Sequence, residues 1–139
     1  MHSSVTIFKN ELLNCIDDLI DIMDHDFTGD PYAIKLSGEL KVAKTIIVPL
    51  GENGIVEILE IFLNAVIPHK DRIEARDVGL FDTIADTDVL ADLDSKTFKA
   101  IKMVMRKGKA DDIKMAFDYI DSFIAAGEKY RMENKEKLN

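Results

Sequence analysis

The sequence predicts an all-α fold: a single compact bundle of about five to six helices around a central apolar helix at about 53–67. Three observations predict it. From Asn53 to Ile67 the chain reads N-G-I-V-E-I-L-E-I-F-L-N-A-V-I, with strongly polar residues only at Asn53, Glu57, Glu60 and Asn64. A helix gathers these on one narrow stripe and leaves an apolar circumference that needs neighbours on several sides. Other long segments carry apolar residues at helical spacing, and none alternates apolar and polar residues as a half-buried strand would. Finally, 139 residues with 47% apolar content are enough for one domain with a real core, expected over 1–133 with a polar tail at 134–139.

The elements follow in order. Ser3 or Ser4 can cap a first helix running to about Met23, with Phe8, Leu12, Cys15, Ile16, Leu19, Ile20 and Met23 inward and Asp17, Asp18 and Asp21 outward. After the D-H-D-F-T-G-D turn, Asp30-Pro31 starts a second helix, since proline at the first helical position loses no intrahelical bond. Its stripe is Tyr32, Leu36, Leu40, Ala43 and Ile47, interrupted by Gly38. The run Thr45 to Val48 should leave the helix, because the residue before Pro49 avoids the α region. Asn53 is a candidate cap for the apolar helix, which Pro68 stops. A short charged helix then spans His69 to about Arg76, and Asp77 caps a turn carrying Leu80, Phe81 and Ile84.

The acid-rich segment 85–94 reads as loop or short helical turns. Ser95 looks like the cap of a helix with Phe98, Ile101, Val104 and Met105 inward, ended by Gly108. Asp111 would cap the last helix, whose stripe is Ile113, Phe117, Ile120, Phe123 and Ile124, extended by Tyr130. The short connection predicts an antiparallel C-terminal hairpin.

A net charge of −8 argues against whole-surface attraction to nucleic acid or anionic membrane. The charge is uneven: residues 1–95 hold 19 acids against 7 bases, residues 96–139 hold 7 acids against 11 bases. The single cysteine, Cys15, cannot form an internal disulfide and suits a reducing compartment. No basic, apolar leader is visible at the amino terminus and no apolar run approaches the ~18–20 residues of a membrane span. The expectation is a soluble, cytoplasmic protein without membrane insertion.

Several motifs invite a chemical reading. Asp24, Asp26, Thr28, Gly29 and Asp30 match the first half of an EF-hand loop, with oxygens at alternate positions and a glycine at the bend. The twelfth position, where a bidentate glutamate belongs, is Lys35, and Pro31 occupies the apolar position expected two residues after the glycine, so an acidic interhelical turn is the better reading. The D-x-D-x-T spelling of haloacid-dehalogenase-like phosphatases needs a buried strand before it, and Leu19 to Met23 reads as helix. Asp86, Asp88, Asp92 and Asp94 specify no ligand geometry, and no inward Glu-x-x-His pair exists for a di-iron bundle. His2, His25 and His69 are scattered; Gly51-Glu-Asn-Gly54 carries a glutamate where an anion cradle wants none. No catalytic residue and no cofactor are assigned.

The basic segment is more informative. Lys96, Lys99, Lys102 and Arg106 lie three to four residues apart and share a helix face, which Lys107, Lys109 and Lys114 extend around the hairpin turn. Such a face can grip phosphate backbones or an acidic partner, although a solvated helix face has the same pattern and no aromatic is interleaved on that face. An acidic end and a basic end on one small domain can also direct assembly with another copy or a neighbour.

The order L-I-D-I-M-D-H-D, K-V-A-K, Val48-Pro49, the apolar helix, V-I-P-H-K-D-R-I-E-A-R-D-V-G-L-F and the closing D-Y-I-D-S-F-I-A-A-G-E-K-Y resembles small helical proteins of large eukaryotic (nucleocytoplasmic) DNA viruses. The resemblance covers most of the chain and rests on structural punctuation. It departs at Val48-Pro49, where Asn-Pro is the expected turn, and at the leucine-phenylalanine pair, where two aromatics are usual. What it implies is a viral origin and a virion or virus-factory role, with no catalytic residue. The reading is therefore a non-enzymatic protein-interaction protein, an accessory or structural component of such a virus. A nucleic-acid-associated protein using Lys96–Lys114 and an ion-binding module at Asp24–Asp30 are the alternatives.

Overall fold

The computed structural model describes residues 2–84 and 92–138, with backbone only for 92–94 and 136–138. Its elements are α1 (Ser3–His25), α2 (Pro31–Ile47), α3 (Glu52–Val66), a 3-10 turn (Ile67–His69), α4 (Lys70–Glu74), α5 (Leu80–Thr83), α6 (Asp92–Lys107) and α7 (Ala110–Leu138). No strand occurs among the described residues. The all-α bundle is as its apolar periodicity predicts.

α3 packs against α1, α6 and α7, as its apolar circumference requires. α1 is the broader hub, touching α2, α3, α6 and α7. Phe123 of α7 ties these together: its ring meets Phe8 of α1 at 5.4 Å and Phe62 of α3 at 5.3 Å, both edge to face. That geometry places ring edges on ring faces, the preferred arrangement for aromatic quadrupoles. A second aromatic group, Phe81 with Phe98 and Phe117, anchors the short α5 between α6 and α7. α6 and α7 pack on each other across the Gly108-Lys109 turn, the C-terminal hairpin. A Cβ on Gly108 would lie 2.4 Å from the Val104 carbonyl oxygen, so only glycine closes this turn.

Several local expectations are corrected. The cap position of α1 is His2, not Ser3 or Ser4; Ser4 is buried and donates to Glu133 of α7. Asp17 and Asp18 do not face water freely, because Asp17 pairs with Lys44 at 2.6 Å and Asp18 accepts from Tyr119 Oη at 2.5 Å. α2 begins as predicted, its Asp30 carboxylate accepting from the Tyr32 and Ala33 N–H groups, but Ala33 takes the inward place expected for Tyr32.

The helix also runs through Ile47, and Val48 keeps α geometry (φ −50°, ψ −46°) despite preceding Pro49. Burial of Ile47 and the Lys9 ammonium, which donates to the Val48 and Leu50 carbonyls, hold that end in place. Gly51, not Asn53, is the cap position of α3. The charged helix predicted at His69–Arg76 is a 3-10 turn plus α4, stopped by Arg76 at φ 56°. Ser95 and Asp111 lie inside the first turns of α6 and α7 rather than at the positions that precede them. Helical backbone continues to Leu138 through the stretch whose composition suggests a frayed tail. The reading of Asp86, Asp88, Asp92 and Asp94 lies outside the described side chains.

Candidate functional site

The basic face forms, and so does its neutralisation. α6 runs beside α2, and its cations meet carboxylates from other elements: Lys96 bonds Glu39 at 3.0 Å, Arg106 bonds Asp82 at 2.8 Å, Lys107 lies 3.9 Å from Asp30. Lys109 reaches Asp26 at 3.5 Å and Lys114 pairs with Asp118 at 3.0 Å along α7. Exposed pairs of this kind contribute ~0–1 kcal/mol each, so their main effect is to trim the positive potential. Lys99 has no ion pair with a described residue.

The acidic turn and the basic face, read separately in the sequence, are thus one surface. The oxygens that spell half an EF-hand are committed to protein partners. Asp30 caps α2, and Thr28 donates to the Asp24 and His25 carbonyls. Asp24 accepts from Ser37 at 2.6 Å, which, with Lys41 beside it, holds its carboxyl below the usual range. Among the described residues no group of three His, Cys, Asp or Glu side chains converges as a metal site would require.

Asp26 lies beside Asp112 of α7, and hydrogen bonding between the two carboxyls, with Lys109 nearby, keeps Asp26 below the ordinary carboxylate range. Burial first, and the adjoining Asp26 carboxyl second, push Asp112 up to about 6. Two carboxyls this close favour one proton between them.

Two surface features were not legible as such in the sequence. The first is a concave pocket of about 210 Å³ lined by Tyr32, Lys99, Lys102, Met103, Arg106 and Lys107. Tyr32 supplies a half-exposed aromatic, whereas Phe98 of the basic segment is buried in the core. The second is a shallow groove of about 440 Å³ along the outer face of α2, lined by Ile34, Gly38, Val42 and Ile46 with Lys35, Glu39 and Lys96 at its edges. Ile34 and Val42 are 61% and 58% exposed. The signal was present as a repeat of four on the face turned away from Leu36 and Leu40.

Cys15 is fully buried in α1; His2 bonds Glu52 and stacks edge-on to Tyr130; His25 bonds the Asp21 carbonyl at the end of its own helix. Among the described residues no helix is long and apolar enough to cross a membrane. No known protein family, curated protein or solved structure matches the chain.

Proposed function

We propose that the protein is a non-enzymatic interaction module that associates with a second copy of itself through the outer face of α2. The observation that carries this reading is the ridge of exposed Ile34, Val42 and Ile46 around Gly38. A helix with one apolar face already in the core has no internal use for a second, and contiguous exposed apolar surface marks interaction sites. Glycine in a helix interior costs ~0.5–1 kcal/mol relative to alanine. No atom of the chain lies within 4 Å of where a Gly38 Cβ would stand, so nothing internal requires the missing side chain. A close-approaching partner helix does.

A second copy suits this surface because its edges carry both signs, Lys35 and Lys96 against Glu39. Two α2 helices crossing antiparallel can seat each Ile34 over the other's Gly38 and set Lys35 beside the second copy's Glu39. Complementary rims of this kind fix register without adding net charge. The resemblance to helical proteins of large eukaryotic DNA viruses supports taking the module as an accessory or structural, virion-associated component, acting in host cytoplasm or particle.

Light scattering during size exclusion tests the association: a species of twice 15.7 kDa is expected at high chain concentration. Ile34→Glu should return it to monomer. A monomer even at millimolar concentration overturns self-association, and absence from purified virions overturns the particle role.

A further inference from the structure

We infer that the Tyr32–Lys99–Lys102–Arg106–Lys107 pocket is a nucleotide-phosphate site, taking one nucleotide unit with its phosphate on the α6 cations and its base against the Tyr32 ring. The inference is independent of self-association through α2, and different residues carry it.

Four cations from three successive turns of α6 line a single concavity on a protein whose overall charge is −8. Packing like charges together costs free energy unless an anion joins them; Lys102, Arg106 and Lys107 each have a partner, and Lys99 is the cation left over among the described residues. Asp82 engages Arg106, and Asp30 stands 3.9 Å from Lys107 while also capping α2. Lys99, at the pocket wall, has no ion pair with a described residue. Arg106 and Lys107 keep 60% and 63% of their side chains exposed, so each presents an open side to a ligand while paired on the other.

Tyr32 selects the class of anion. It comes from α2, is 49% exposed, and makes no ring contact or side-chain hydrogen bond with a described residue. An unpartnered aromatic among phosphate-binding cations is the combination that single-stranded nucleic acid uses, because every base offers a face to stack and every unit a phosphate. Met103, buried beneath the cations, gives the pocket an apolar floor. At about 210 Å³ the pocket is smaller than the ~300–1,000 Å³ of enclosed ligand sites, so it would seat one nucleotide unit only in part, with the remainder in solvent, and would not enclose a dinucleotide cofactor.

The nucleotide can come free or as a unit of a strand, and the test separates the two. Anisotropy of fluorescein-labelled decathymidylate is followed at low salt, with AMP and inorganic phosphate as competitors. Binding is expected, weakening about tenfold or more between ~50 and ~200 mM salt if about three phosphates are neutralised. Lys99→Glu with Lys102→Glu should abolish it; Tyr32→Ala should weaken it about tenfold and Tyr32→Phe should leave it nearly intact. Tyr32 is exposed and Lys99 and Lys102 are half-buried at the surface, and circular dichroism of each variant verifies its fold. Displacement by AMP at micromolar concentration identifies a free nucleotide as ligand; displacement only by unlabelled strand identifies nucleic acid. No binding of decathymidylate, AMP or phosphate at low salt overturns the site, as does binding that survives the lysine reversals. Binding indifferent to Tyr32→Ala overturns the nucleotide assignment.

Discussion

Gly127 of α7 lies against Leu63 of α3 so closely that a Cβ built on it would stand 2.5 Å from Leu63 Cδ1 and 2.6 Å from Cδ2. Leu63 is fully buried, so it has no open space into which to retreat. The glycine is what lets these two helices approach.

Gly127→Ala should therefore destabilise the fold by about 1–3 kcal/mol, the usual range for an overpacked core, outweighing the ~1 kcal/mol that alanine gains in helix propensity. Urea unfolding of Gly127→Ala, Leu63→Val and the double variant measures it. Coupling is the decisive sign: the double variant should be more stable than the sum of the single losses. Strict additivity would show that the two residues do not compete for the same volume.

Arg76 holds a left-handed backbone (φ 56°), which costs a side-chain-bearing residue ~1–2 kcal/mol. Its guanidinium offsets that by reaching Asp121 at 2.8 Å and Asp118 at 3.3 Å and by lying 5.1 Å over the Phe117 ring. These contacts fasten the end of α4 to α7. Arg76→Ala keeps the strain and loses the contacts, whereas Arg76→Gly loses both. Arg76→Gly should consequently be about 0.5–1 kcal/mol more stable than Arg76→Ala in thermal or urea unfolding, with both below the parent. A glycine variant less stable than the alanine variant would contradict this account.

How far the sequence is legible depends on whether the determinant is local. The buried set of α1 from Phe8 to Met23, the Asp30-Pro31 start and the Gly108 stop are local signals and appear where predicted. Tyr32 fits the Leu36, Leu40, Ala43 stripe by spacing, but the first turn of α2 rotates it outward and Ala33 inward. Ser95 and Asp111 are good capping residues in the wrong place, because the entry point of a helix depends on where the preceding chain delivers it. The basic face was visible as spacing on α6; its carboxylate partners Asp30, Glu39 and Asp82 come from elsewhere in the chain, so no local pattern announces them. The Gly127–Leu63 approach is likewise a property of a pair and leaves no trace in either segment alone.

Gly38 is the opposite case to Gly127. With no atom within 4 Å of its built Cβ, Gly38→Ala should stabilise the isolated chain by about 0.5–1 kcal/mol. If α2 is the self-association face, the same substitution should weaken the dimer, since the added methyl occupies the notch that receives Ile34. Unfolding at high dilution and light scattering at high concentration read the two effects separately. Val42→Glu should abolish association with little change in melting temperature, as Val42 is exposed. A dimer that tolerates both substitutions would place the contact on another face.

The Asp26–Asp112 carboxyl pair makes stability depend on pH in a defined direction. Asp112 is raised to about 6 by burial and by Asp26, against ~3.9 in the unfolded chain. Between these values the unfolded state releases its proton first, so unfolding becomes easier as pH rises from ~4 to ~6, and the loss is complete just above. Asp26, held low by the Asp112 hydrogen bond and by Lys109, acts in the other direction, contributing stability that is lost only as pH falls below ~4. The two windows do not overlap. His25 faces Asp26 and Asp111 faces Asp112, and both are present in parent and variant, so the comparison is of the two proteins at each pH. Asp112→Asn supplies a permanent N–H donor toward Asp26 without a second charge. It should be more stable than the parent at about pH 7.5, by about 1 kcal/mol once solvent screening is discounted, and closely matched to it at about pH 4.5. Urea midpoints at the two pH values decide the matter: a difference that fails to grow with pH would mean that Asp112 is ionised like any surface aspartate and that no proton is shared.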